Sequence, residues 1–234
     1  MSLIAIITAR GGSKRIPRKN IKNFMGKPML AYAIEAALKS KIFDEIMVST
    51  DDREIAEISI KYGAKVPFLR SERTSNDYAT TVDVLTEVIT EYKKLGKTFD
   101  EICCVYPCVP FLTGDILKAA YLKFSAKDAD SLIPVVKYSF PIQRALIQDS
   151  DGYIKYREPE YSKTRSQDLT ETYHDVGMFY FAKTKKILEK QNLFCKKSVF
   201  YEMQESQIQD IDNESDWKMA EIKYKMQNCA ESSK

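Results

Sequence analysis

Residues 3–20, LIAIITARGGSKRIPRKN, decide the fold class of this 234-residue chain. The apolar run 3–9 predicts a buried first strand, and a loop with two glycines, five basic side chains and no acidic one follows it directly. In an open α/β sheet, ligands bind at the carboxyl ends of the strands, where this loop must lie. Glycine lets the backbone turn tightly and direct N–H groups at an anion, and the cations supply the opposite charge. The stretch therefore predicts a phosphate-binding loop. Its five cations are Arg10, Lys14, Arg15, Arg18 and Lys19.

A solvated basic loop is the alternative interpretation, because most runs of charge are simply exposed to water. The stretch contains neither GxxxxGK[ST] nor GxGxxG. It therefore supports neither a P-loop NTPase nor a dinucleotide-binding site.

Outward from this stretch, strand-like and helix-like segments alternate along the chain. The predicted strands cover residues 3–9, 45–50, 66–69, 101–107, 131–136, 177–183 and 199–203. The predicted helices cover 29–40, 52–63, 81–96, 113–124, about 184–192 and the segment from residue 214 onward. This alternation predicts one α/β domain of residues 1–234, with a mostly parallel, Rossmann-like sheet and helices on both faces. Residues 137–176 are polar, aromatic and irregular instead, and predict an insert of hairpins and loops.

The composition is that of an ordinary globular protein, with 44% apolar and 29% charged residues. A net charge of +3 gives no reason to expect a nucleic-acid partner, and no apolar run reaches the ~18 residues of a membrane span. The N-terminal run is expected to be a strand and not a signal peptide, because no basic region precedes it and no small-residue cleavage site follows. The five cysteines fit no zinc spacing, and Cys103 and Cys104 in an apolar run predict buried thiols in a reducing cytoplasm.

Five ordered blocks carry a family resemblance. They are TARGGSKRIPRKN (8–20), STDD (49–52), FLRSERTSNDYATTVDV (68–84), YHDVGMFYF (173–181) and QDIDNESDW (209–217). In that order they resemble the N-terminal signature, the second and third blocks, the block after the dimerisation insert, and the metal block of the sugar-activating cytidylyltransferases, the CMP-sialic acid synthetase family. Several ordered blocks that together span nearly the whole chain are more specific than one short motif.

The resemblance implies a nucleotidyltransferase that uses CTP and Mg²⁺. The anomeric hydroxyl of an acidic nine-carbon sugar, a nonulosonic acid, attacks the α-phosphate of CTP, a CMP-sugar forms, and pyrophosphate leaves. A homodimer through the insert 137–176 is implied as well, and the family's nucleotidyltransferase sheet matches the predicted fold. By position, the implied nucleotide contacts are Ala9, Arg10, Gly11, Gly12, Ser13, Lys14, Lys19, Asn20, Arg70, Ala79 and Thr81. The implied catalytic residues are Arg10, Lys19 and Asp212. Two of the nucleotide contacts have structural alternatives: Arg70 as a surface ion pair with Glu72, and Thr81 as a helix N-cap.

Asp210 and Asp212 are predicted to bind the metal. In an extended segment their carboxylates leave one face while Ile211 points the other way, into the core. Two oxygens on one side suit Mg²⁺, which also binds substrate phosphates and keeps several waters. The alternative is that Asp212 only caps the final helix.

The chain departs from the family after the central strand, where YPCVPFL (106–112) replaces the family's usual QPTSPLR. Tyr106 stands where the family has a sugar-contacting Gln, so an aromatic edge replaces a polar one. This edge favours a deoxygenated sugar that carries methyl or acyl groups, pseudaminic acid, over N-acetylneuraminic acid. The sugar carboxylate needs a cation. Gln143 stands roughly where the family often has a basic residue, so Arg144 or Arg165 is the candidate, with an ordinary surface arginine as the alternative.

Three rival functions stay open at this point. The chain could be a related enzyme that activates N-acetylneuraminic or legionaminic acid. It could also be the enzyme that activates Kdo, although the RKN that ends the loop resembles the Kdo enzymes less. From another class, the chain would be a non-catalytic regulator that binds CTP. His174, the single histidine, receives no role, and Trp217 and Tyr224 in the last helix are expected to be packing residues.

Overall fold

The computed structural model of the protein describes residues 1–231, with side chains described as far as residue 227. The strands are β1 (Leu3–Thr8), β2 (Asn23–Phe24), β3 (Lys27–Pro28), β4 (Glu45–Ser49), β5 (Glu101–Val105), β6 (Ser131–Lys137), β7 (Leu146–Gln148), β8 (Ile154–Tyr156), β9 (Tyr173–Asp175), β10 (Phe179–Lys183) and β11 (Ser198–Glu202). The α-helices are α1 (Met29–Ser40), α2 (Arg53–Lys61), α3 (Glu72–Ser75), α4 (Thr81–Lys94), α5 (Gly114–Ala126), α6 (Thr184–Lys190) and α7 (Glu214–Glu231).

The central sheet has seven strands in the order β11-β6-β10-β5-β1-β4, with β9 paired to β6 as well. The pairs β1–β4, β1–β5 and β6–β11 are parallel. Strand β10 is antiparallel to both β5 and β6, and β9 is antiparallel to β6. Five strands therefore run in one direction and two in the other, which confirms the prediction of a mostly parallel sheet.

Helices cover both faces of this sheet because the strand side chains alternate between two apolar clusters. Leu3 and Ile7 of β1 lie in one cluster with residues of α1 and α5. Ile4 and Ile6 lie in the other with residues of α4 and α6. Burial on both faces explains why β1 reads as an uninterrupted apolar run.

The final helix, α7, is packed by aromatic side chains. Trp217 is 3% exposed and lies 5.4 Å from Phe24, ring centre to ring centre, in an edge-on arrangement. Tyr224 makes similar contacts with Phe24 and Tyr32, at 5.6 and 5.5 Å. The expectation that Trp217 and Tyr224 are packing residues is confirmed.

The predicted strand at 66–69 is wrong. Only Lys65 forms a β-bridge, with Met47 of β4. Pro67 has no N–H to continue the ladder, and the chain turns away at that point. The backbone N–H of Arg70 then donates to Thr50 O at 2.8 Å, which returns the chain to the end of β4.

Residues 138–172 leave the sheet between β6 and β9 and contain the β7–β8 hairpin and short 3₁₀ turns. The irregular insert predicted over 137–176 extends too far, because Tyr173–Asp175 form β9 and pair with β6. Several large apolar side chains of this insert are exposed: Phe140 by 81%, Tyr153 by 73% and Ile154 by 71%. An exposed apolar surface of this kind is typical of an interaction site.

Cys103 and Cys104 of β5 are fully buried, as predicted, whereas the side chain of Cys229 lies outside the described residues. Burial raises the pKa of the Cys104 thiol to about 12. Across residues 1–231, no helix combines the length and the apolar character that crossing a membrane requires.

Candidate active site

A cavity of about 870 Å³ opens where β1 and β5 end. Arg70 and five segments line it. The segments are the end of β1 with the loop after it, the start of α4 with the residues before it, the residues after β5, the turn between β9 and β10, and the segment before α7. The position agrees with the rule that parallel sheets bind ligands at the carboxyl ends of their strands.

Most of the predicted site residues meet in this cavity. Those that line it are Arg10, Ser13, Lys14, Lys19, Asn20, Arg70, Ala79, Thr81, Tyr106 and Asp210. Those that do not are Ala9, Gly11, Gly12, Asp212, Gln143, Arg144 and Arg165. Arg15 lines the cavity too, but Arg18 does not, so four of the five loop cations surround the space.

The first part of the loop is shaped by the neighbouring α2 rather than by the cavity. The Gly11 N–H donates to Asp51 Oδ1 at 2.9 Å, and a Cβ at this position would lie 2.8 Å from Asp52 Oδ2. Glycine is therefore required by close packing, and the expectation that the Gly11 amide points at an anion is wrong for this structure. Ala9 is fully buried in the core, and its N–H donates to Ser49 O at 3.0 Å.

Arg18 anchors the loop to α2, contrary to the expectation that it faces the anion. Its guanidinium donates to both carboxylate oxygens of Asp52, the N-cap of α2, and also contacts Glu54. The bond from Arg18 holds the pKa of Asp52 below its usual range. Because Arg18 is bound to Asp52, the cations that face the cavity are the other four of the loop.

Two of those cations share one carboxylate. Arg10 Nη1 donates to Asp77 Oδ1 at 2.7 Å, and Lys14 Nζ contacts Asp77 Oδ2. Their bonds, that of Lys14 first, hold the pKa of Asp77 below its usual range. All three side chains are solvent-accessible, with 43% of Asp77 exposed. Asp77 therefore stands where an anionic ligand would meet Arg10 and Lys14.

Lys19 and Asn20 tie the loop to other walls of the cavity. Lys19 Nζ donates to Ile211 O at 2.7 Å, which places its charge beside the acidic segment before α7. Asn20 is 4% exposed, and its amide donates to Arg10 O at 2.8 Å. Its Oδ1 accepts a hydrogen bond from the Cys108 thiol at 3.3 Å. Burial raises the pKa of Cys108 to about 12, so this thiol stays protonated.

Arg70 is 8% exposed and does not pair with Glu72, so the surface ion-pair alternative is wrong. Its Nε donates to Ser49 Oγ at 3.0 Å and its Nη2 to Ser49 O at 2.6 Å. Burial lowers the pKa of Arg70 from its usual value. The guanidinium is thus held rigidly, with part of its surface open to the cavity.

Thr80, rather than Thr81, caps α4. The Thr80 hydroxyl accepts from the Asp83 N–H, and the Asp83 carboxylate accepts from the Thr80 N–H in return. This frees the Thr81 hydroxyl, which lies 2.9 Å from the hydroxyl of Tyr106. The alternative role of Thr81 as a cap is therefore wrong by one position.

The two metal-site candidates have different surroundings. Asp210 lines the cavity, and its carboxylate makes no hydrogen bond or ion pair with any residue in the described part of the chain. Asp212 Oδ1 instead pairs with Arg15 Nη2 at 2.7 Å, at the edge of the site. Ile211 between them is 2% exposed, so the predicted division into a polar face and a buried face agrees with the structure.

Asp212 does not cap α7 either. Asn213 Oδ1 accepts from the N–H groups of Ser215 and Asp216, at 2.8 and 3.0 Å. The Asp216 carboxylate in turn accepts from the N–H of Asn213 at 3.0 Å. This reciprocal cap explains the start of the helix without Asp212.

The residues present fit a divalent cation that is held jointly by protein and substrate. No group of three or more metal-ligating side chains occurs among the described residues. An unpaired carboxylate that faces a cation-lined cavity is nevertheless the kind of ligand Mg²⁺ uses when substrate phosphates and water supply the rest. Asp210 meets this description, whereas Asp212 is paired with Arg15 and does not line the cavity.

The predicted carboxylate-binding residues lie in the insert, away from the cavity wall. Gln143 Nε2 donates to Thr170 O at 2.9 Å, and Arg144 Nη1 donates to Ser166 Oγ at 3.4 Å. Neither these residues nor Arg165 lines the cavity within one chain. Their role in sugar binding stays a prediction.

Sequence reasoning missed several side chains of the site, and hydrogen bonds of three of them shape it. They are Asp77, Cys108 and Asp175. Asp77 and Asp175 lie inside two of the blocks that carry the resemblance, and Cys108 lies in YPCVPFL (106–112). A carboxylate such as Asp77 within a basic site is a signal that was open to use. Asp175 adjoins a turn whose conformation sequence does not show.

Comparison with known proteins identifies similar chains over nearly the whole length. A protein-family model described as cytidylyltransferase matches residues 4–223. The chain is 43% identical over 226 residues to a pseudaminic acid cytidylyltransferase of Campylobacter jejuni, covering 97% of each chain. It is 30% identical over 224 residues to a CMP-N,N'-diacetyllegionaminic acid synthase of Legionella pneumophila, covering 94% of this chain and 95% of that one.

A solved structure of a CMP:2-keto-3-deoxy-manno-octonic acid synthetase complexed with CTP superimposes with a TM-score of 0.68, covering 97% of this chain and 99% of that one. The sequence identity of the pair is 17%, so this likeness bears on the fold alone. It confirms the predicted α/β fold class.

Proposed function

The chain belongs to the cytidylyltransferase family, and on that premise we propose that it transfers CMP from CTP to the anomeric hydroxyl of a nonulosonic acid, pseudaminic acid, with release of pyrophosphate. One observation of the structure carries the proposal. Arg10, Lys14 and Lys19 converge on one cavity, and the Asp210 carboxylate, which is unpaired among the described residues, lines the same cavity. A triphosphate needs cations for its charge, and a metal-bridged triphosphate needs a carboxylate beside them.

The loop cations supply positioning and charge neutralisation for phosphoryl transfer. Arg10 and Lys14 exchange the Asp77 carboxylate for phosphate oxygens when CTP binds. Lys19 keeps its bond to Ile211 O and has two further N–H donors for the triphosphate. As the sugar hydroxyl releases its proton to water and its oxygen bonds to the α-phosphorus, the bond to the departing pyrophosphate breaks, and these donors stabilise charge that develops on the oxygens.

Asp210, joined by Asp212, would hold Mg²⁺. When bound, the ion would supply positive charge that neutralises the phosphate oxygens of the nucleotide. The chain's own contribution is to keep Asp210 unpaired and to tie the acidic segment to Lys19, so that cation and carboxylate stay in fixed relation.

The nucleoside is placed by a part of the cavity wall outside the basic loop, in the segment that leads into α4. Arg70 lies rigid against Ser49, and Ala79 and Thr81 line the wall beside it. The fixed orientation of this wall suits a flat pyrimidine ring. The cytosine ring of CTP, the nucleotide that the family uses, is of this kind.

Pseudaminic acid is favoured as the sugar by two independent observations. One is the 43% identity to a pseudaminic acid cytidylyltransferase over nearly the full chain. The other is Tyr106, whose ring and Thr81-bound hydroxyl leave few free polar groups to bind sugar hydroxyls. A sugar hydroxyl that is desolvated against such a wall without a partner is disfavoured.

The exposed apolar surface of the insert supports the dimer that the sequence predicts. Phe140, Tyr153 and Ile154 need a partner surface, and a second copy of the chain supplies one of the same kind. Light scattering at micromolar protein tests this: a mass of twice 26.9 kDa is expected, and a monomer mass contradicts it. The cytoplasmic location also stays part of the proposal.

The proposed function is tested by pyrophosphate release from CTP across a panel of nonulosonic acids. We expect the specificity constant for pseudaminic acid to exceed those for legionaminic and N-acetylneuraminic acid by about tenfold or more, because a mismatch of unpaired polar groups costs at least that factor. Equal specificity constants for the three sugars would show that Tyr106 does not select the substrate. Turnover of legionaminic acid alone would assign the related activity instead.

A further inference from the structure

The turn between β9 and β10 forms part of the cavity wall, and Asp175 holds it in shape. Asp175 Oδ1 accepts a hydrogen bond from the Gly177 N–H at 2.8 Å. The hydroxyl of Tyr180 donates to the same carboxylate, at 2.9 Å from Oδ1 and 2.8 Å from Oδ2. Gly177 has φ +61°, a left-handed conformation that glycine adopts easily. One carboxylate thus connects the turn to the strand that follows it.

This turn holds Tyr106 at two points. The Tyr106 N–H donates to Met178 O at 2.9 Å, so the backbone of β5 is joined to the turn. The Tyr180 ring also packs edge-on against the Tyr106 ring, with 5.7 Å between ring centres and 65° between ring planes. Both the main chain and the ring of Tyr106 therefore depend on where the turn lies.

The far side of Tyr106 reaches the nucleotide wall, since its hydroxyl lies 2.9 Å from Thr81 Oγ1. Burial raises the pKa of Tyr106, and burial raises that of Tyr180 as well. Both hydroxyls are therefore protonated at neutral pH, and each needs an acceptor. Asp175 supplies the acceptor for Tyr180, and Thr81 is the partner of Tyr106.

Tyr180 is only 4% exposed, so loss of the Asp175 carboxylate would leave a buried hydroxyl without that acceptor. A buried polar group without a partner is costly, and the ring is expected to move towards a new one. The Gly177 N–H would lose its acceptor at the same time. Both changes displace the two supports of Tyr106.

We propose that Asp175 is a positioning residue which, through Tyr180 and the turn, fixes Tyr106 as the wall against which the sugar binds. The inference rests on the proposed function for the identity of the substrate. It assigns Asp175 no direct bond to the sugar and no proton transfer, so its carboxylate charge is dispensable while its acceptor oxygens are not.

The kinetic test compares Asp175→Ala with Asp175→Asn. Asp175→Ala should raise KM for the sugar by about tenfold, because one buried hydroxyl loses its acceptor, while KM for CTP changes by less than about twofold. Asp175→Asn keeps an acceptor oxygen and should restore most of the sugar KM. If Asp175→Asn is as impaired as Asp175→Ala, the charge is needed and the positioning role is refuted. A matched control is Asp115→Ala, an exposed position of α5 that lies outside both the cavity wall and the insert, where no effect is expected.

A double-mutant cycle tests the route through Tyr180. Tyr180→Phe keeps the ring but removes the hydroxyl that needs an acceptor. In this background, Asp175→Ala should raise the sugar KM by clearly less than it does alone, because the two side chains act on one contact. Additive effects would show that Asp175 acts by another path.

A measurement without substrate separates this inference from the proposed function. Amide hydrogen exchange at Tyr106, followed by NMR in the ligand-free protein, should be faster in Asp175→Ala than in wild type and near the wild-type rate in Asp175→Asn. This result supports the positioning role even if no nonulosonic acid is turned over. An unchanged exchange rate in Asp175→Ala overturns it, whatever the activity.

Discussion

Replacing Asp210 by Asn should abolish most activity without destabilising the protein. The Asp210 carboxylate faces the cavity and has no partner in the described part of the chain, so Asp210→Asn breaks no side-chain hydrogen bond or ion pair. We therefore expect the free energy of unfolding to change by less than about 0.5 kcal/mol. The amide is a much poorer ligand for Mg²⁺, and turnover should fall by about 100-fold, equivalent to about 2.7 kcal/mol of lost transition-state stabilisation.

Asn213→Ala is the matched control and should show the opposite pattern. It removes the acceptor for two N–H groups at the start of α7, at 2.8 and 3.0 Å. Loss of such a cap costs about 1 kcal/mol. In a chain of this size that lowers Tm by about 2–4 °C, and turnover should stay within about twofold of wild type.

Asp212→Asn should have effects on stability and turnover between those of Asp210→Asn and Asn213→Ala. Its ion pair with Arg15 is exposed, with 68% of the Arg15 side chain accessible, so stability should change by less than about 1 kcal/mol. Turnover should fall, and more Mg²⁺ should be needed to reach half of it. The assay is pyrophosphate release as a function of Mg²⁺ concentration, beside thermal melting. Wild-type turnover of Asp210→Asn at low Mg²⁺ would refute the metal assignment.

Three further predictions concern the basic loop, its partner Asp77 and the buried carboxylate of Glu87. Arg10→Ala or Lys19→Ala should lower turnover by about 100-fold or more with the fold intact. Near-normal CTP kinetics in both variants would refute the assignment of a phosphate-binding loop. Asp77→Asn should bind CTP more tightly than wild type by calorimetry, because the variant no longer competes for Arg10 and Lys14, whereas weaker binding would show that Asp77 helps to hold the ligand. Burial opposes ionisation of Glu87, but hydrogen bonds from Ser71 and Thr74 hold its pKa below the usual value near 4.5. The stability it contributes is therefore complete above that value and is lost as the pH falls below it. Between about pH 7 and about pH 3, Glu87→Gln should lose less stability than wild type, and parallel losses would contradict this.

Local patterns were enough to predict the parts of the fold that local chemistry decides. The run 3–9 is apolar because β1 is covered on both faces, and the basic loop after it could be placed at the edge of the sheet from that fact alone. The helix periodicities failed at their ends rather than their centres, as at α4, which was predicted over 81–96 and ends at Lys94. The short run 66–69 misled because strand formation there depends on a pairing that Pro67 does not continue.

The site itself was less accessible to sequence because its contacts join distant segments. The bond from Arg10 to Asp77 spans 67 positions, and that from Lys19 to Ile211 spans 192. Gly11 illustrates the limit well. Glycine there was interpreted as a way to aim an amide at phosphate, whereas the close approach of Asp52 explains it. Such packing is invisible until both segments are placed.

The central claim is that CTP and pseudaminic acid are joined with loss of pyrophosphate, and ³¹P NMR of the reaction mixture tests it most directly. With the purified protein, Mg²⁺ and both substrates, the three CTP signals should be replaced by equal amounts of pyrophosphate and of a CMP phosphodiester. Omission of the sugar should leave CTP intact. Unchanged CTP in the complete mixture, or conversion to CDP and inorganic phosphate, would contradict the account.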